Sequence, residues 1–469
     1  MKSLNSKHID ISLWALLFTL FVVIYINFSY SHWNNQKRVI IHDIFSYYAY
    51  LPATFIYGDI SLQSIENKKE KLGGGFYGKR SPTGNTVIIT SCGMSSLYLP
   101  FFLVAHTSAQ KLGYKADGYS TPYKFALVMS SIFYLIIGSI FLRKFLLKYF
   151  SSLVVAITLV TIILTTNLLW YVTVESPMSH IYSFSLISIF LYITDKWLQT
   201  SALKYSIIIG LLAGIISLIR PTNIIVVVLL VLWKVSTWDD LSKRILFFIS
   251  KWYQIVLILV LFFIVWSPQF LYWKYVAGSY FFYSYPESQG FYFLNPQFYN
   301  TLFSWRKGLF IYTPVMFFAI AGIGLLYKSN KGLFWPVSVY FLISWYIISS
   351  WWDWWYGGSF GLRAFIDSYG IYSIGLATFI TWVLKVSRQK KIIFITLFVL
   401  SAMLSMWHYL RYKGGSIHWV AMTKEAYFDS FWQVHPTVKY YEKLRKPDYK
   451  LARKGIYKYK DETEDKPSK

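Results

Sequence analysis

Apolar blocks near twenty residues long recur along this chain, separated by short basic loops. The first, about 13–30, carries no charge. About twenty such residues in a helix cross the hydrocarbon core of a bilayer, and only structures that satisfy their own backbone can do so. The blocks therefore dictate an all-α integral membrane protein. Composition agrees: 14% of residues are charged and 55% are hydrophobic, where soluble domains carry about 25% charge. Lys2 and Lys7 precede the first block and favour a cytoplasmic N-terminus. That block is long and lacks a small-residue cleavage site, so it reads as a retained anchor.

The spans fall at about 13–30, 122–142, 151–170, 179–194, 204–219, 222–234, 252–268, 311–327, 333–350, 366–384 and 391–409. Segment 91–111 is apolar but holds Pro100 and many small polar residues. If it does not span, five basic loops face the cytoplasm: Arg143/Lys144/Lys148, Lys196/Lys204, Lys234/Lys243/Arg244/Lys251, Lys328/Lys331 and Lys385/Arg388/Lys390/Lys391. The positive-inside bias selects that parity. It makes 91–111 an interfacial helix on the outer surface and gives about 11 spans. A transmembrane domain then covers 1–409, with a first outer loop of about 31–121, and a basic tail covers 410–469 on the outer face.

The net charge of +25 does not mark a nucleic-acid binder. The basic residues sit in loops and in the tail, and no nucleic-acid motif accompanies them; anionic headgroups and phosphate-bearing lipids are the simpler partners. Cys92 is the sole cysteine, which rules out an internal disulfide. Gly73-Gly74-Gly75-Phe76-Tyr77-Gly78-Lys79-Arg80 matches part of a phosphate-loop pattern but lacks the Ser/Thr after Lys79 that would hold a metal. It reads as a flexible part of the first loop. His42, His180, His408 and His418 show no metal-binding spacing.

Under this topology, ionisable residues gather at the outer ends of spans. Asp43 follows the first span, Glu175 lies between the third and fourth, and Arg220 begins Arg220-Pro221-Thr222-Asn223. The turn after the ninth span runs from Trp351 through Asp353, Tyr356, Gly357, Gly358 and Gly361 to Arg363. Each residue has a plainer reading: Asp43 as a helix N-cap, Glu175 as a charge beside the helix-starting Ser176-Pro177, Arg220 as a snorkelling anchor. Arg363 follows glycines that let the backbone turn tightly, and its guanidinium can grip phosphate oxygens in a bidentate way. The Trp/Tyr cluster before it serves either as an interfacial belt or as a platform for sugar faces.

In this order the features resemble the GT-C superfamily of polytopic glycosyltransferases, which includes the protein O-mannosyltransferases and the lipid A aminoarabinose transferases. The resemblance rests on Asp43 after the first span, Leu97-Tyr98-Leu99-Pro100-Phe101-Phe102 in the outer loop, Glu175 near Pro177-Met178, Arg220-Pro221-Thr222-Asn223, and the turn ending at Arg363. It covers the chain to about residue 385. Two features depart from it. Many members carry adjacent acidic residues where Ile44 follows Asp43, and Glu175 stands one residue earlier than the Asp that some relatives place before Pro.

The resemblance implies transfer of a sugar from a polyprenyl-phosphate carrier to an acceptor hydroxyl at the outer membrane face, with inversion. Asp43 would be the general base. Arg363 and Arg220 would bind the donor phosphate, and Glu175, His42, Asp353 and Tyr356 would orient substrate. The sequence offers no metal ligand set, and a divalent ion stays open as a cofactor, because Asp43 and Glu175 could share one. The expected partners are the lipid-linked sugar, a glycan, lipid or protein acceptor, and membrane lipids. The expected location is a bacterial plasma membrane with the site facing outward. The alternatives are a transporter or flippase for lipid-linked saccharides, which would carry ionisable groups within its spans, and a structural subunit that only binds glycolipid.

Overall fold

The computed structural model describes residues 10–66 and 77–460. Lys2, Lys7, Gly73, Gly74 and Gly75, and the end of the tail, lie outside the described residues.

Every apolar block is helical. Five helices are long and apolar enough to cross a membrane: Ile11–Tyr30 with the turn that follows it, Thr121–Leu146, Trp252–Ala277, Lys331–Ser350 and Arg388–Gly414. The outward faces of Trp252–Ala277 and Arg388–Gly414 carry exposed Leu259, Phe263, Ile264, Ile392, Leu400 and Met403. Such faces belong in lipid, and the chain is an integral membrane protein. The other blocks are shorter or interrupted. Helix Ser152–Leu164 stops and restarts as Leu168–Thr173, a 3-10 turn Pro221–Val227 runs into Val228–Leu232, and Leu309–Tyr312 is separated from Met316–Ser329 by a break at Thr313-Pro314. Length and composition thus mark five spans among the described residues where block counting gives about 11.

Two further features differ from the sequence-based expectation, and segment 91–111 is helical as expected. Gly78–Arg80 pairs antiparallel with Thr86–Ile88, so the fold is mainly rather than wholly helical, and this end of the glycine-rich stretch is a strand, not a flexible loop. The basic loop after residue 234 contains the helix Trp238–Ser250, opened by a capping box between Thr237 and Asp240. Segment 91–111 forms the helix Gly93–Ala109, which packs along Thr121–Leu146 despite Pro100. Gly93 lets its N-terminus meet the backbone at Leu218 and Ile219, where a Cβ would collide.

The bundle has two chemically distinct ends. At one, Asp10 caps Ile11–Tyr30 and pairs with Arg143. Nearby in the helix order, Asp195 is fully buried and is held by Lys148 Nζ at 2.7 Å, Lys234 Nζ at 2.9 Å, Trp233 Nε1 at 2.9 Å and Tyr149 Oη at 3.0 Å. Removing one partner of a buried pair costs about 3–5 kcal/mol, less where the other partner reaches water. Asp195→Asn should therefore lower the thermal midpoint by several degrees while leaving activity per folded molecule unchanged; melts in nanodiscs, with active-site titration, check this. The other end carries the site.

Candidate active site

Asp43 enters the site on the short helix His42–Tyr48. Its carboxylate does not cap that helix: Ile41 is the N-cap residue, with no side-chain cap bond. Instead Asp43 Oδ2 meets Arg363 Nη2 at 2.9 Å, with both side chains largely withdrawn from solvent. Arg363 opens the 3-10 turn Arg363–Ser368. Gly357 at φ 64° and Gly361 at φ 59° turn the chain ahead of it, a conformation that glycine adopts without strain. Residues far apart in sequence are thus joined by a charge-assisted bond.

The remaining ionisable groups surround this pair. Glu175, half-buried in the turn after Leu168–Thr173, accepts a hydrogen bond from Trp170 Nε1 at 3.0 Å. Burial raises its pKa, and Asp43 adds to the rise, against the pull of the indole N–H, Arg363 and Lys307. Arg220 ends Leu203–Ile219; its Nη1 lies 3.3 Å from Asp367 Oδ2, and its guanidinium stands 5.8 Å from the centre of the Tyr356 ring. Asp367 is almost fully buried. It also meets His180 Nδ1 at 2.8 Å and accepts from Asn223 Nδ2 at 2.9 Å. Tyr356 takes φ 57° and donates its hydroxyl to the Ile348 carbonyl at 3.4 Å.

Asp353 is pushed up to about 6 by burial, against a backbone hydrogen bond from Gly357 and the charges of Arg363, Lys307 and Arg306. Its Oδ1 is buried and without a partner among the described residues. A carboxyl raised by folding makes the native state bind a proton that the unfolded chain releases. Stability therefore falls as pH climbs from about 4 to about 6. Asp353→Asn should raise the thermal midpoint at pH 8 by a few degrees and leave it unchanged at pH 3.5, as a pair of melts would show.

Of the residues singled out in the sequence, Asp43 and Arg363 are in direct contact. Arg220 and Tyr356 stack beside them, and Glu175 and Asp353 feel the Arg363 charge. His42 is exposed, at φ 49°, and stands outside these contacts. Sequence reasoning missed Lys307, Asp367, Tyr47 and Tyr285, and weighed His180 only as a metal ligand without the spacing for one. Lys307 is buried and donates to the carbonyls of Ser359 and Trp419. Burial drives its pKa well below that of an ordinary lysine, and Arg363 pushes it the same way. Its signal was available: Arg306-Lys307 are adjacent cations in an aromatic loop assigned to the face that the charge bias keeps poor in cations. Tyr47 bonds Ser179 Oγ at 3.3 Å, and Tyr47 and Tyr285 both sense Asp43 and Arg220.

Asp43 is engaged by a guanidinium and Glu175 by an indole N–H. Among the described residues no three His, Cys, Asp or Glu side chains come together. What the arrangement offers is four cations, Arg220, Arg306, Lys307 and Arg363, interleaved with four carboxylates, Asp43, Glu175, Asp353 and Asp367.

No protein-family model and no curated protein matches the chain. It is similar to a solved structure, an archaeal oligosaccharyltransferase AglB from Archaeoglobus fulgidus in complex with an inhibitory peptide and a dolichol-phosphate. The identity is 12%, the TM-score 0.44, and the alignment covers 91% of this chain and 60% of that one. The present chain thus spans 60% of the length of that protein.

Proposed function

We propose that this protein is an integral membrane glycosyltransferase that moves a sugar from a polyprenyl-phosphate carrier to an acceptor hydroxyl at the outer membrane face. The observation that carries the reading is the Asp43–Arg363 pair, a base and an anion-binding cation held at 2.9 Å among further buried charges.

In this reading Asp43 takes the proton of the acceptor hydroxyl as that oxygen attacks the anomeric carbon. The bond from the anomeric carbon to the phosphate oxygen breaks, and polyprenyl phosphate leaves with the electron pair. One displacement inverts the anomeric centre. Arg363, assisted by Arg220, stabilises the charge growing on the phosphate, where poor hydration makes fixed cations most effective. The ion pair also orders the events. While Arg363 holds Asp43, the base is masked; a donor phosphate that takes the guanidinium releases the carboxylate for the acceptor. Glu175, Asp353 and Tyr356 orient the sugar, and His42 stands at the rim. Asp367 and His180 position Arg220 rather than touch substrate.

Two measurements on the protein in proteoliposomes test this. Nuclear magnetic resonance of the product should show an anomeric centre opposite to that of the donor; retention would require a covalent intermediate and remove Asp43 as a base. A fluorescent lipid-linked saccharide should lose its sugar. Movement of the intact lipid across the bilayer, with no loss of sugar, would establish a flippase instead.

A further inference from the structure

The tail departs from the charge rule. Its cations gather at the site end of the bundle, whereas the basic loops between helices gather at the other. From Lys446 to Lys458 there are five, Lys446, Lys450, Arg453, Lys454 and Lys458, all exposed. One carboxylate, Asp448, stands among them, and it is spent on capping the turn at Tyr449–Ala452.

This segment is fastened to the site by specific contacts. The Arg306 guanidinium lies between the rings of Trp355, at 4.9 Å, and Tyr459, at 5.1 Å. Arg453 lies 5.5 Å from the centre of the Trp352 ring. Tyr292 donates to the Arg453 carbonyl, and Asn295 Nδ2 to that of Gly455 at 2.9 Å. Lys307, next to Arg306, holds the Ser359 carbonyl four residues before Arg363. The segment thus lies against Trp352 and Arg306, and Trp352 belongs to the turn that leads to Arg363.

The tail's surface divides into two kinds. Residues 428–441 expose Phe428, Trp432 and Val438, bulky groups suited to lipid. Residues 446–459 expose cations interleaved with Tyr449 and Tyr459, hydroxylated rings that pack on sugar faces while the cations meet charge. We infer that residues 446–458 form the docking surface for an anionic glycan acceptor, a saccharide polymer bearing phosphate or carboxylate groups. This deepens the proposed glycosyltransferase function by naming the class of its acceptor.

The test uses the full-length protein in phosphatidylcholine nanodiscs, with polygalacturonate and phosphorylated dextran as probes and dextran as the neutral control. Both polyanions should bind and dextran should not, and binding should vanish as salt rises from about 0.05 M to about 0.5 M. Lysine acylation mapped by mass spectrometry should show polymer protecting Lys446, Lys450 and Lys454, but not Lys243 and Lys251. Lys446→Glu/Lys450→Glu/Lys454→Glu should weaken binding about tenfold or more. Equal binding of dextran, or binding that survives 0.5 M salt, overturns the proposal; the salt arm needs no variant and stands even if the triple substitution does not fold. Protection of these lysines by phosphatidylglycerol nanodiscs but not by polymer assigns the surface to membrane headgroups and also overturns it. Sugar release from a lipid-linked donor is scored separately. Its absence removes the transferase reading and leaves polymer docking to be judged by the footprint.

Discussion

Asp43→Asn leaves the protein folded and reduces sugar transfer by about a hundredfold to ten-thousandfold, the usual contribution of a positioned general base. The substitution is nearly isosteric, and the side chain is partly exposed at the start of a short helix whose cap lies elsewhere. Its structural cost is therefore confined to the partner. Arg363 loses its nearest carboxylate but keeps Glu175 in electrostatic reach. Donor affinity should hold or rise, because the phosphate no longer competes with Asp43 for the guanidinium. Turnover and donor binding, measured on the same nanodisc preparation, separate the two effects. Near-normal turnover in the variant would remove Asp43 as the base.

Arg363→Lys is the second large effect. Lysine keeps the charge but presents a point donor in place of a planar fork. It cannot hold a phosphate in a bidentate way while occupying the place where Asp43 now sits at 2.9 Å. Losing one buried charge-assisted contact costs about 2–3 kcal/mol, so kcat/KM for the donor should fall about thirtyfold to a hundredfold. The acceptor KM should move little. Equal losses on the donor and acceptor sides would mean that Arg363 shapes the site as a whole rather than gripping the phosphate.

The individual charges were legible in the sequence because lipid makes charge expensive: a carboxylate or guanidinium beside an uncharged block stands at the block's end, and parity assigns the end. Asp43, Glu175, Arg220, Asp353 and Arg363 were found that way. Which of them touch was not legible. The Asp43–Arg363 bond and the Arg220–Asp367–His180 cluster join segments whose approach depends on how the helices pack, and no local pattern carries that information. Asp367 was hidden because it sits at the start of a block taken as a span. Lys307 was hidden because it stands among aromatic residues, next to Trp305 and Arg306, in a long loop with no motif around it.

Block counting and helix length give different span numbers for the same reason. A run of apolar residues marks burial in lipid or in protein alike. Leu168–Thr173 is buried throughout, and Pro221–Val227 winds as a 3-10 turn behind Pro221, so hydropathy could not fix their lengths. Helix Trp238–Ser250 was read as a basic loop because its cations drew attention first. Its Thr237/Asp240 box and the apolar residues Leu241, Ile245, Phe248 and Ile249 at helical spacing were present in the sequence. The tail was visible as basic, but its attachment through Arg306, Trp355 and Tyr459 was not.

The central claim is that a lipid-phosphate sugar is cleaved at this site. The most direct measurement incubates the purified protein in nanodiscs with a panel of radiolabelled polyprenyl-phosphate sugars and acceptors, and detects polyprenyl phosphate by mass spectrometry alongside the released or transferred label. Polyprenyl phosphate and label should appear in equal amounts from one donor, and about a hundredfold or more less of both from Asp43→Asn. Donor that binds yet yields no polyprenyl phosphate with any acceptor would contradict the claim.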